Sequence, residues 1–124
     1  DMDSEDLKQV GDTLAEQGVD GVIVTNTTIE RESIAGHRHA KEQGGLSGKV
    51  LFEKSTQALS LLSKQIGDAV VLIGVGGISS GEDAVAKISA GADLVQLYSG
   101  LIYQGPSLIR QSANAIAQHC SSSC

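Results

Sequence analysis

Four short segments of this 124-residue chain combine small polar side chains with bare backbone. Thr25-Asn26-Thr27-Thr28 offers hydroxyls and one amide. An Asn amide donates and accepts, so it can read a planar imide or a carboxylate, although a turn closed by its own side chains would use the same residues. Gly74-Val75-Gly76-Gly77-Ile78-Ser79 runs into the helix-start pair Ser80 and Asp83. Free N–H groups and the positive end of a helix dipole can hold an anion there, while a tight turn needing positive φ would also call for glycine. Tyr98-Ser99-Gly100 is a second strand end of this kind, with a half-buried ring and wet hydroxyl as the plain alternative for Tyr98. Gly44-Gly45-Leu46-Ser47-Gly48 either lets backbone approach a flat ligand or forms a flexible loop.

Common phosphate motifs do not fit. Ser79 stands where a dinucleotide fingerprint needs its third glycine, and Asp93 begins its strand, whereas a ribose-binding acid belongs at the far end. Gly81 is followed by Glu82 and Asp83, not by the Lys-Ser/Thr of a Walker A loop. His37-Arg38-His39 reads as a solvated loop without companion ligands. Cys120 and Cys124 sit in a serine-rich tail, too few for a disulfide framework or a zinc site. With no Ser-His-Asp, Cys-His or metal constellation, hydrolysis and metal catalysis are disfavoured. Amides and hydroxyls among glycines suit an organic cofactor that brings its own chemistry.

The elements that must position these segments follow from periodicity. Asp3 or Ser4 caps a helix carrying Leu7, Val10 and Leu14 on one face, ended by Gly18. Strands are expected over 19–24, 69–73 and 93–97, nearly continuous apolar runs of the kind buried on both faces. A helix over 52–66 carries Phe52, Leu59, Leu62 and Ile66, and Gly67 stops it. Ser80 and Asp83 open another, a capping-box pattern with Ala84, Val85 and Ile88 facing inward. The last starts at Pro106 with the stripe Leu108, Ile109, Ala113, Ile116 and Ala117. The polar loop over 29–48 is long enough to expect a function for it. The order α-β-α-β-α-β-α predicts an α/β fold with a parallel sheet, either open and doubly wound or part of a (β/α)8 barrel. A full barrel needs about 250 residues, so three strands supply only part of one. Ligands in either architecture gather outside the carboxyl ends of the strands, where three of the four segments fall. Two adjacent glycine-bearing strand ends, the second leading into Leu101-Ile102-Tyr103, favour the barrel.

Composition sets limits. The chain is 40% hydrophobic and 19% charged, enough to bury a core, and its three aromatics leave that core aliphatic. The first twenty residues hold seven acids against Lys8 and account for the whole net charge of −6. No basic face for nucleic acid is visible, no apolar run reaches membrane-span length, and the acidic start has no secretory pattern.

Taken together and in order, the Thr25-Asn26-Thr27-Thr28, Gly44-Gly45-Leu46-Ser47-Gly48, Gly74-Val75-Gly76-Gly77-Ile78 and Leu97-Tyr98-Ser99-Gly100 segments resemble dihydroorotate dehydrogenase, most closely its quinone-dependent class 2 form of bacteria. The resemblance runs over residues 1–117. It implies that residues 1–119 are the C-terminal portion, about strands six to eight, of an FMN-binding (β/α)8 TIM barrel, with 120–124 a tail. It further implies that Thr25, Gly48, Gly76, Gly77, Tyr98 and Ser99 bind FMN, the backbone N–H groups of Gly77, Tyr98 and Ser99 meeting its phosphate. Asn26 and Thr27 would contact dihydroorotate or orotate. The implied reaction oxidises dihydroorotate to orotate in pyrimidine synthesis: a base takes a proton from C5, hydride passes from C6 to flavin N5, and electrons leave to a quinone. The whole protein would then lie peripherally on the cytoplasmic side of the bacterial inner membrane. The family's serine base, a flavin-contacting lysine and the membrane-facing helices are all expected upstream of Asp1, and Ser33, Ser47, Ser79 and Ser99 do not match the base position. No catalytic residue is therefore assigned within the chain. A catalytically silent flavin- or phosphate-binding half-barrel and another phosphate-binding barrel enzyme are the alternatives. An isolated part-barrel is expected to self-associate through its unpaired edges.

Overall fold

A computed structural model describes residues 1–123, so the expectation for Cys124 lies outside the described residues. The Asp3 carboxylate accepts from the N–H groups of Glu5 and Asp6 at 2.9 and 2.8 Å, and Asp6 accepts from Asp3 N, closing a capping box that starts α1 (Ser4–Gln17). Gly18 ends it with a left-handed φ of +63°. Then follow β1 (Gly21–Val24), α2 (Phe52–Ile66), β2 (Val71–Val75), α3 (Gly81–Ser89), β3 (Leu94–Gln96), α4 (Ser99–Gln104) and α5 (Ser107–Ser122). The strands form one parallel sheet in the order β1-β2-β3, with Gly21 opposite Val71 and Ile73 opposite Leu94. The expected α/β alternation is present.

Four local differences have physical causes. β2 begins two residues later than its apolar run, because Gly67–Ala69 winds into a 3-10 turn and pairing with both neighbours carries the strand on through Gly74 and Val75. Leu101-Ile102-Tyr103 lies within an additional helix, α4. At α3, Ser80 Oγ accepts from Asp83 N at 3.1 Å, but the Asp83 carboxylate reaches one residue further back than a capping box would, accepting from Ser79 N and Oγ at 2.9 Å each. On α5, Leu108 and Ser112 are buried while Ile109, Ala113 and Ala117 are exposed. Contact with α3 selects that face: a Cβ on Gly81 would lie 2.9 Å from the Ala115 methyl, so the helices meet over small residues.

Strand alternation divides the sheet. Val24 and Leu72 point into a core with Leu59, Leu62, Ile66, Val70 and Ala92, against which Val22 also packs. Ile23, Val71 and Leu94 point the other way and are 54, 44 and 56% exposed. The expectation of strands buried on both faces is therefore met on one face only within the described residues, because every helix that packs on the core does so from one side.

The core also holds a charge that periodicity did not reveal. Lys87 of α3 is fully buried, its Nζ 2.6 Å from Ser55 Oγ, 3.4 Å from the Phe52 carbonyl oxygen and 4.8 Å from the centre of the Phe52 ring. Burial pushes its ammonium down to about 8, with Asp83 opposing the shift. Between that value and the ordinary 10.5, the unfolded chain holds more protons than the folded one, so stability rises with pH across the window. Between about pH 8 and about pH 10, the urea midpoint of the complete polypeptide should rise relative to that of its Lys87→Met variant. A constant difference would mean that the amine titrates as it does in water.

Candidate active site

Parallel strands place all three carboxyl ends on one rim, and there a cavity of about 380 Å³ opens. Thr25, Asn26 and Thr27 border it from β1, Gly76 and Gly77 from β2, and Tyr98 and Ser99 from β3. The uncovered sheet face supplies its floor through Ile23, Val75 and Gln96. Seven of the eight residues singled out in the sequence thus share one space of ordinary ligand-site volume. Gly48 does not line it but follows Ser47, which does.

After β1, the Val24–Thr25 peptide is cis. Asn26 Oδ1 accepts from Thr27 N at 2.8 Å and Thr25 Oγ1 donates to the Asn26 carbonyl at 3.0 Å. The turn closed by its own side chains and the cavity wall are therefore the same structure. Thr28 then pairs in both directions with Leu46, N–H to carbonyl, at 3.1 and 2.6 Å. This bridge brings the long polar loop back, and a hydrogen bond from Arg31 to the Gly44 carbonyl ties it across. Ser47 Oγ lies 2.8 Å from Ser99 Oγ, joining the loop to the β3 end. Gly48 takes φ +94°, which only glycine adopts readily, and a Cβ there would project into open space.

After β2, Gly76 and Gly77 turn at φ +109° and +74°. A Cβ on Gly77 would come within 2.5 Å of the Phe52 Cβ, so the turn lies directly on the start of α2. Because Ser80 and Asp83 already cap α3, the glycine turn, not the helix start, is the backbone bordering the cavity. The β3 turn leans on this one: a Cβ on Gly100 would collide with the Ile78 carbonyl oxygen. Tyr98 is 71% exposed, more open than a half-buried ring.

Sequence reasoning missed Gln96 as a lining residue and Ser55 and Lys87 as supports. Gln96 was findable, since it ends β3 on the same strand face as Leu94. Among the described residues, no histidine, lysine or carboxylate lines the cavity. No group of three or more His, Cys, Asp or Glu among them can hold a metal ion. His39 pairs instead with Glu42 on the surface of the loop. The chemistry on offer is recognition: hydroxyls and an amide on one wall, glycine backbone on another, and between them a floor of two apolar side chains and the Gln96 amide.

Comparisons with known proteins point to one family. The family described as dihydroorotate dehydrogenase matches residues 1–119. The dihydroorotate dehydrogenase (quinone) of Cupriavidus taiwanensis is 56% identical over 116 residues, 94% of this chain and 34% of that protein. That of Saccharophagus degradans is 55% identical over 117 residues, 94% of this chain and 34% of its own. Among solved structures, ligand-free DHODH from Eimeria tenella superimposes with a TM-score of 0.89 at 36% identity, covering 99% of this chain and 34% of that one. Its complex with ferulenol gives the same score and identity over 99% and 32%. The chain spans about a third of the length of the curated relatives it matches. Motifs, fold and similarity over nearly all its residues agree: the chain belongs to the dihydroorotate dehydrogenase family.

Proposed function

We propose that residues 1–119 are the C-terminal portion of an FMN-binding (β/α)8 barrel that oxidises dihydroorotate to orotate in pyrimidine synthesis, with a quinone as final electron acceptor. The observation that carries this reading is the meeting of Thr25 to Thr27, Gly76 to Gly77 and Tyr98 to Ser99 around one cavity. Its support lies in relatives named dihydroorotate dehydrogenase (quinone).

The residues fit a flavin nucleotide. Two positive-φ glycines at one strand end and a helical turn at the next border the same space, as backbone amides must to hold a phosphate. Gly77 cannot carry a side chain without striking Phe52, so glycine is required for the turn to lie this close to α2. When bound, FMN supplies the hydride acceptor. The roles of the chain are to bind and orient. Gly76, Gly77, Tyr98 and Ser99 hold the phosphate end, with Thr25 and Gly48 against the flavin. Asn26 and Thr27 present an amide and a hydroxyl to the ring and carboxylate of dihydroorotate. Of the described residues that line the cavity, Ser47 and Ser99 bond each other and neither matches the position of the family's serine base. Proton removal from C5 therefore falls to a base upstream of Asp1, and contact with quinone and the inner membrane to other upstream parts. No helix of the described residues is long and apolar enough to cross a membrane. The exposed face at Ile23, Val71 and Leu94 is the inner wall that the remaining strands cover.

The complete polypeptide, as encoded, should purify with FMN and reduce a quinone analogue in the presence of dihydroorotate. A protein that takes up a sugar phosphate and no flavin would replace this reading with another barrel enzyme, and flavin without turnover would leave a silent binding module. Asn26→Ala should lower kcat/KM for dihydroorotate by roughly ten- to a hundredfold while FMN content stays constant, the cost of a lost substrate hydrogen bond. The 124-residue chain alone should scatter light as oligomers or aggregates, its sheet edges and apolar face being open; a stable monomer with tight FMN binding would contradict the part-barrel.

A further inference from the structure

Lys87 touches no wall of the cavity, yet it stands behind the glycine turn. Its ammonium donates to Ser55 Oγ at 2.6 Å and faces the Phe52 carbonyl at 3.4 Å. Ser55 is itself fully buried. Its Oγ lies 3.1 Å from the Phe52 carbonyl and 3.2 Å from the Gly76 carbonyl. A hydroxyl has one proton to give. Lys87 already serves Phe52, so that proton is left for Gly76. In a trans peptide the C=O and the following N–H point in opposite directions. Holding the Gly76 carbonyl toward α2 therefore turns the Gly77 N–H away from α2, toward the cavity that Gly77 lines.

We propose that Lys87 is a positioning residue for the flavin phosphate: acting through Ser55, it locks the Gly76–Gly77 peptide so that the Gly77 N–H faces the anion, and it places a positive charge behind that donor. This rests on the reading of the cavity as a flavin-phosphate site. Burying an ammonium costs stability even when it is well bonded, and an apolar side chain of similar length would pack there at less cost. An amine at this place is better explained by what it orients than by what it stabilises.

Binding separates the two roles. Riboflavin lacks the phosphate but shares the ring system of FMN. The flavin-free complete polypeptide and its Lys87→Met, Ser55→Ala and doubly substituted variants are titrated with each flavin by fluorescence quenching. The parent should prefer FMN. Lys87→Met and Ser55→Ala should each weaken FMN binding about tenfold while changing riboflavin binding by less than about twofold, the pattern of one misdirected charge-assisted donor. The double variant should be no worse than Lys87→Met, because both act through one chain of bonds. If the parent prefers FMN and the variants keep the same preference, or lose both flavins equally, Lys87 only packs and the proposal falls while the phosphate site stands. If the parent binds both flavins alike, the phosphate site falls and the proposal with it. Should Lys87→Met fail to fold, the flavin preference of Ser55→Ala decides.

Discussion

Parallel pairing is the constraint on which the rest of this structure depends. With Gly21 opposite Val71 and Ile73 opposite Leu94, the three strands end at nearly the same height. Each must then leave the sheet on the same rim, and each return must travel back along one face as a helix. Loops distant in the chain are thereby forced together. Thr25 and Ser99 belong to one cavity because the backbone leaves no other place for them.

The same constraint makes the sheet two-sided. Helices on one face cover Val24 and Leu72, and the pleat sends Ile23, Val71 and Leu94 to the other. That second face joins the cavity, since Ile23, Val75 and Gln96 form its floor. Its exposed Ile23, Val71 and Leu94 make an apolar patch beside that floor.

Binding and support are divided between layers. The rim carries hydroxyls, the Asn26 amide and bare glycine backbone. Behind it, α2 and α3 carry groups that set how the rim points. The Asp83 carboxylate holds Ser79, while Lys87 and Ser55 hold Gly76. The Gly100 backbone rests on Ile78, so the two glycine turns are packed against each other.

The sequence by itself determined the α/β alternation apart from α4, the glycine stops at Gly18 and Gly67, and which segments stand at the strand ends, because apolar period, caps and positive-φ glycines are local signals. Four segments in fixed order also sufficed to identify the family. Only the tertiary structure decided which face of a helix is buried and which strand face is left open. Of the apolar stripe on α5, Leu108 is buried as its period required, but Ile109, Ala113 and Ala117 are exposed and Ser112 is buried in the face turned to α3. The extension of β2 through Val75 needed partners on both sides. Lys87 shows the limit most clearly. Its spacing from Ala84 and Ile88 puts it on the inward face, but what lets an ammonium stay there could not be read along the chain, because its partners, Phe52 and Ser55, lie more than thirty residues away and meet it only when α2 and α3 pack on the sheet.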